Sequence, residues 1–228
     1  MPALTPRGLH LTAPLALFRG KLNITRRLIR LFRFLDAFYR SYSIVSSAAS
    51  SKPLTAESYL DVLSNTFNGL YLLLETVTIV DALQVDGLAV WGPEYELVLK
   101  KDSQRCWFLA LLFGAVASGL RLSRTRTEIA ALRQEEPSKP EDKEKASKYG
   151  KDKTEELAKR KQKSAGLEKS ARAHLRKIVA CVLDLSLPGS FLGWIQAGPL
   201  TVGLVMTITS GLTGFDVWER CGKDIAAK

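Results

Sequence analysis

An all-α, membrane-associated helical bundle with an N-terminal basic amphipathic helix and a C-terminal transmembrane hairpin is the fold class the sequence predicts. Three observations carry that expectation. Apolar and charged residues are segregated along the chain: Leu54–Leu122 is mostly apolar, Arg124–Lys177 is dominated by charge, and Ile178–Trp218 is apolar again. The segment Asn23–Arg40 sorts Arg and large apolar residues onto opposite sides of a helix. The run Leu200–Phe215 carries no charge and is rich in Thr, Ser and Gly, which suits a packed membrane helix.

The 228 residues suffice for one domain or one short membrane protein. A mean hydropathy of +0.00 with 46% hydrophobic residues excludes an intrinsically disordered chain, and a uniform soluble globule would not segregate its charge in this way. The formal charge of +10, from 33 Lys and Arg against 23 Asp and Glu, gathers in an N-terminal Arg cluster and in the central stretch. It points to anionic partners, and the flanking apolar segments favour lipid over nucleic acid. Cys106, Cys181 and Cys221 are odd in number and widely spaced, without a C-x-x-C pair. They read as small apolar fillers in a reducing compartment, not a disulfide framework.

Residues 1–14 read as a proline-containing tail. Pro2, Pro6, Arg7 and Pro14 interrupt the apolar core that a secretory signal peptide needs. A mitochondrial transit peptide is the stronger rival, since the first 35 residues hold no Asp or Glu. Ser is absent before Ser41, however, and transit peptides are Ser-rich. At the other end, Asp224–Lys228 is neither a peroxisomal matrix tripeptide nor an ER-retention tetrapeptide.

The basic amphipathic helix is assigned to residues 15–45, with Asn23–Arg40 as its core free of Pro and Gly. Arg26, Arg30, Arg33 and Arg40 fall along one stripe and Leu28, Leu31, Phe32, Leu35, Phe38 and Tyr39 on the opposite arc, with Arg27 at the boundary and Ile29 on the polar side. Asn23 or Thr25 is placed to cap the start. Five Arg stand against a single Asp36, whereas a soluble surface helix mixes charge signs. That composition fits a helix lying in a lipid interface, aromatic face in the acyl boundary and Arg on phosphates, because the planar guanidinium bonds two oxygens at once. The plainer alternative is a core-packing helix whose Arg face is solvated. Nucleic-acid binding lacks a recognition motif.

Residues 54–122 read as a helical membrane-associated region. Tyr59–Val85 has apolar residues at helical spacing, with Asn65, Asn68 and Glu75 on another face and Asp81 and Asp86 interrupting the run. Trp107–Leu122 is a compact apolar run flanked by Lys100, Lys101 and Arg105 before it and Arg121, Arg124 and Arg126 after it. Its sixteen residues fall short of the roughly 20 of an ordinary span, so it is a short candidate span helped by snorkelling Arg. Gly114 with Ser118, and Ala115 with Gly119, are small-x-x-x-small pairs that let membrane helices approach closely and self-associate; Gly203 and Gly211 have the same potential in the last run. Residues 124–177 form a charged linker, at most a solvated helix in its later half. Residues 178–219 form the C-terminal membrane segment, in which Ile178–Leu187 ends at Pro188-Gly189. Pro199 then opens the best span, residues 200–215, with Trp218 as an interfacial anchor and residues 220–228 as a tail.

Catalytic chemistry is missing. His10 and His174 stand apart, and no metal-ligand spacing links Cys, His and carboxylates. No nucleophile-elbow, Walker or dinucleotide glycine pattern occurs. Glu75, Asp81 and Asp184 lie in apolar context, where they could form a relay, but boundary and capping roles suit Asp81 and Asp184 better. No enzyme, no cofactor and no metal are expected.

The C-terminal order Arg176–Pro188, Leu192-Gly-Trp194, Val202-Gly-Leu204, Ile208–Leu212 and Val217-Trp-Glu219 resembles the ending of the peroxin-eleven family of peroxisomal membrane elongation proteins. Arg105–Leu112 and the Arg helix are further matches, and together they cover most of the chain outside the first dozen residues and the charged linker. Family members typically begin closer to their amphipathic helix, so the proline-rich start is a departure. The resemblance implies a protein of the peroxisomal membrane that bends and elongates the bilayer before fission and so governs peroxisome number and size. It also implies a homo-oligomer on an anionic phospholipid membrane, with a dynamin-like GTPase, its membrane adaptor and a membrane-protein import receptor as partners. A small-metabolite pore lined by Asn65, Asn68, Glu75, Thr207 and Thr209 is the alternative. The positive-inside rule holds Arg124–Lys177 in the cytosol, whereas the resemblance places both termini there.

Overall fold

The computed structural model describes residues 6–51, 53–83, 85, 87–134 and 150–226. Among the described residues the chain forms seven helices: α1 (Pro6–Ile29), α2 (Arg33–Ser51), α3 (Ala56–Val77), α4 (Ile79–Ala82), α5 (Gly92–Gln134), α6 (Gly150–Phe191) and α7 (Pro199–Ala226). They divide between two compact units, one drawn from Met1–Pro53, Val62–Ala110 and Pro188–Gln196, the other from Leu54–Asp61, Leu111–Leu187 and Ala197–Lys228. The all-α class expected from the sequence is what the chain adopts. Two described helices are long and apolar enough to cross a membrane, α5 and, within α7, Leu200–Glu219. They contain the two runs singled out above.

Helix α1 begins at Pro6, where the fixed proline φ suits the first helical position. It continues past Pro14 through the region read as a tail, and through Asn23 and Thr25, which therefore cap nothing. Thr25 instead donates its hydroxyl to the Lys21 carbonyl one turn back. The expected continuous helix Asn23–Arg40 is broken: α1 ends at Ile29 and α2 starts at Arg33. Across the break the backbone tightens to three-residue bonds, Arg33 N–H to the Arg30 carbonyl at 3.0 Å and Leu35 N–H to the Phe32 carbonyl at 3.1 Å. Leu31 thus loses its helical donor, and the Thr76 hydroxyl of α3, shared with the Leu72 carbonyl at 2.9 Å, lies 3.0 Å from the carbonyl left open. The break has a tertiary cause.

In the first unit α2, α3 and α5 are joined by small hydroxyl residues. Ser41 donates to the Val62 carbonyl at 3.3 Å, Ser64 to the Ala110 carbonyl at 2.8 Å and Ser103 to the Tyr71 carbonyl at 3.4 Å. Short side chains of this kind let helices pack closely while satisfying each other's polar groups. Gly69 on α3 is required by the same closeness, since a Cβ there would stand 2.8 Å from the Phe38 ring. Helix α3 ends at Val77, before the interruption expected at Asp81. Asp81 accepts the backbone N–H groups of Val90 and Trp91, both at 3.0 Å, so it organises the approach to α5. That is a boundary role.

Helix α6 does not stop at Pro188, as the proline had suggested, but runs to Phe191. It then closes in a Schellman turn: Gly193 N–H bonds the Ser190 carbonyl at 3.2 Å and Trp194 N–H the Gly189 carbonyl at 2.9 Å. Gly193 adopts φ +76°, a left-handed conformation that glycine alone enters without steric cost. The helix boundary therefore lies at the Leu192-Gly-Trp194 break.

In the second unit the basic residues after the α5 apolar run pair with carboxylates. Arg121 grips Asp61 with both terminal nitrogens, and Arg124 lies 3.8 Å from Glu57. The later half of the expected linker forms the first turns of α6, while residues 135–149 lie outside the described residues. Arg176 of α6 reaches Glu219 of α7 at 3.2 Å and lies 5.5 Å from the centre of the Phe215 ring.

Candidate functional site

The N-terminal helix pair presents two surfaces of opposite character. Outward, Leu28 is 48% exposed, Ile29 77%, Phe32 68%, Leu35 55% and Tyr39 70%. Five large apolar side chains near one elbow are more than scattered surface residues, and nothing in the described chain covers them. Leu31 and Phe38, expected on the same arc, are half-buried instead, Leu31 beside the elbow carbonyl held by Thr76 and Phe38 against Gly69. Ile29 joins the exposed set although helical arithmetic put it on the polar side, because the helix is interrupted immediately after it.

Inward, Arg30 of the stripe and Arg27 at its boundary turn towards α3, while Arg26, Arg33 and Arg40 stay exposed. Arg30 Nη2 lies 2.7 Å from Glu75 Oε2 and Arg27 Nε 3.4 Å from Glu75 Oε1, and the Glu75 side chain is only 9% exposed. Two guanidinium groups thus share one buried carboxylate. Burial of this kind costs several kcal/mol per ion, and only close pairing recovers it. Glu75 fixes the elbow between α1 and α2, and as an ion-paired group it is unavailable as a free pore-lining charge. Of the other proposed pore residues, Thr209 is buried and Thr207 exposed.

Arg26, Arg30, Arg33 and Arg40 line one side of a cleft of about 210 Å³, with Asn65, Asn68, Tyr71 and Trp107 opposite. Tyr71 stacks on Trp107, ring centres 5.4 Å apart and planes 17° from parallel. Burial pushes the Tyr71 phenol above its usual pKa, the Glu75 charge adds to this, and Arg30 and Arg26 oppose it. The phenol hydroxyl stands at the wall of a basic cleft. Sequence periodicity placed Asn65 and Asn68 together on α3; that they face the Arg stripe is visible only in the fold.

The small residues divide between helices. Gly114 and Ser118 are buried, Ser118 donating to the Gly114 carbonyl at 2.8 Å, and Gly119 is half-exposed. Gly203 and Gly211 on α7 are exposed, and a Cβ at either would meet nothing within 4 Å. Among the described residues no group of His, Cys, Asp and Glu could hold a metal ion.

The family model described as peroxisomal biogenesis factor 11 (PEX11) matches residues 6–218. No curated protein and no solved structure matches the chain.

Proposed function

The chain belongs to the peroxisomal biogenesis factor 11 family, whose members are peroxisomal membrane proteins acting in peroxisome biogenesis and proliferation, and from that premise we propose that it elongates the membrane by wedging its α1–α2 elbow into one leaflet. The observation that carries this reading is the exposed apolar set Leu28, Ile29, Phe32, Leu35 and Tyr39. Buried in the acyl boundary, that set expands one leaflet against the other, and the bilayer relieves the mismatch by curving. Helices α5 and α7 hold the chain in the bilayer. The open glycine positions 203 and 211 of α7 are where a second copy packs, so that many wedges act on one tubule. Anionic lipid, further copies of the chain, an import receptor and the fission machinery, a dynamin-like GTPase with its adaptor, are the partners of this proposal.

The test is tubulation of anionic liposomes by the full chain. Phe32→Glu with Leu35→Glu removes two exposed apolar groups and adds two charges where hydrocarbon contact is needed. Both side chains are more than half exposed, so the variant folds. Tubulation is expected to be lost while the protein remains embedded; tubules formed at wild-type yield would sink the wedge mechanism.

A further inference from the structure

The wedge leaves the Arg-lined cleft without a role. Its charge is specific enough to ask what it holds. Of the four lining arginines, Arg30 is committed to Glu75 at 2.7 Å. No ion pair is formed by Arg26, Arg33 or Arg40 among the described residues, and Asp36 is the one carboxylate in the lining. The cleft thus presents three positive charges against one negative. That net charge of about two matches a phosphate monoester, which carries about −1.5 to −2 at neutral pH, better than a phosphodiester with one.

Its geometry and hydrogen-bonding capacity agree. Guanidinium forks bond phosphate oxygens two at a time. Asn65 and Asn68, one turn apart on α3, add amide donors, and Tyr71 adds a phenol hydroxyl. Arg30 itself has a buried Nε–H without an acceptor among the described residues, so Glu75 does not saturate it. The space of about 210 Å³ is several times the roughly 30 Å³ that a water molecule occupies in the liquid. Trp107, the first residue of the α5 apolar run, lies in the wall, which puts the cleft at the level of lipid phosphates when α5 spans the bilayer.

We propose that this cleft is a binding site for a phosphate monoester dianion, clasped between the Arg stripe of the α1–α2 elbow and Asn65, Asn68 and Tyr71. The inference deepens the wedge reading, because a ligand here would brace the elbow that presents the apolar face.

The experiment uses the full chain in two settings. In neutral detergent, inorganic phosphate and glycerol phosphate are titrated by calorimetry, with chloride at matched ionic strength as the control. In vesicles of phosphatidylcholine, binding is compared between phosphatidic acid, a monoester, and phosphatidylglycerol, a diester, at equal surface charge. Saturable one-to-one binding of both soluble phosphates is expected, weakened tenfold or more by Arg33→Gln and by Asn68→Leu. Circular dichroism melts verify that each variant is folded, and Asn65→Asp serves if Asn68→Leu is not. Binding in detergent without preference between the lipids assigns a soluble phosphate; preference for phosphatidic acid, lost in the variants, assigns a headgroup. Phosphate no better than chloride together with no preference between the lipids overturns the proposal, as does wild-type binding by folded variants. The detergent titration contains no bilayer, so its failure leaves the wedge standing, and failure of the liposome test leaves the cleft standing.

Discussion

Replacing Glu75 by Gln keeps the side chain's shape and removes the charge that pairs with Arg27 and Arg30. Arg27 and Arg30, whose side chains are 15% and 20% exposed, would then remain mostly desolvated with no counter-charge. Breaking a buried pair from one side costs about 3–5 kcal/mol. Gln keeps an amide oxygen within reach of Arg30, so the lower end, about 3 kcal/mol, is expected. For a chain of this size each kcal/mol moves the melting temperature by about 2–4 °C, giving a drop of about 6–12 °C. The assay is far-ultraviolet circular dichroism in neutral detergent, paired with limited trypsin digestion, since Arg30 lies in the turn and Arg33 opens α2. Faster cleavage at those two bonds is expected in the variant. The combined change Glu75→Leu, Arg27→Leu and Arg30→Met should recover most of the loss, because a well-packed apolar set replaces a buried ion cluster at little cost. A Glu75→Gln protein that melts within about 2 °C of wild type and resists trypsin equally would refute the reasoning.

Two further predictions concern the helix end and pH. Gly193→Ala forces an L side chain into φ +76° and should cost about 1–2 kcal/mol; Trp194, which packs edge-on against Phe108 at 5.1 Å, should report it as a shift in tryptophan emission, and an unchanged melt and spectrum would contradict it. The His174 imidazole is held below its ordinary 6.5 by burial first and then by Arg121 and Lys177, with Glu57 opposing. The unfolded chain therefore binds the proton more tightly: the contribution to stability is complete above that value, falls as pH drops from 6.5 towards the folded pKa, and is level below it. Melts from about pH 5 to 8 should show that slope in wild type and lose it in His174→Gln.

What the sequence made legible follows from the range of the forces involved. Helical periodicity and small polar residues are local, so the all-α class and the two apolar runs in α5 and α7 could be read directly. The left-handed cap at Gly193 was not read from the sequence, which placed the end at Pro188-Gly189. Nor was the elbow at Arg30–Phe32, because no Gly or Pro marks it. It exists because Thr76 offers a hydroxyl to Leu31 and Glu75 a carboxylate to Arg30, residues 45 positions away. The inward pairing of Arg27 and Arg30 was hidden for the same reason: amphipathicity separates two faces without saying which residues meet the protein. Glu75 was visible as a carboxylate in apolar context, but its partners were not. Pro188 misled through its usual meaning, since α6 carries it within the last turn and ends a few residues later.

The inward pairing of Arg27 and Arg30 with Glu75 bears on how the wedge is driven. A free amphipathic helix needs its cations to recruit it to anionic lipid, each contributing about 1 kcal/mol near the surface. In the reading proposed above, α5 and α7 already hold this chain in the bilayer, so the elbow meets the interface at the millimolar effective concentration of a short tether. Recruitment by charge is then unnecessary. The exposed fractions of Leu28, Ile29, Phe32, Leu35 and Tyr39 amount to about three fully exposed side chains, and burying them contributes about 5–9 kcal/mol, enough to keep the wedge inserted without Arg–phosphate attraction. Arg27 and Arg30 are thereby free to serve the fold, pairing with Glu75 and fixing the angle at which the apolar face is presented. It follows that raising salt, which screens exposed charge, should weaken tubulation far less than the Phe32→Glu, Leu35→Glu change does. Tubulation abolished by moderate salt in protein that stays embedded would instead assign the driving force to the arginines.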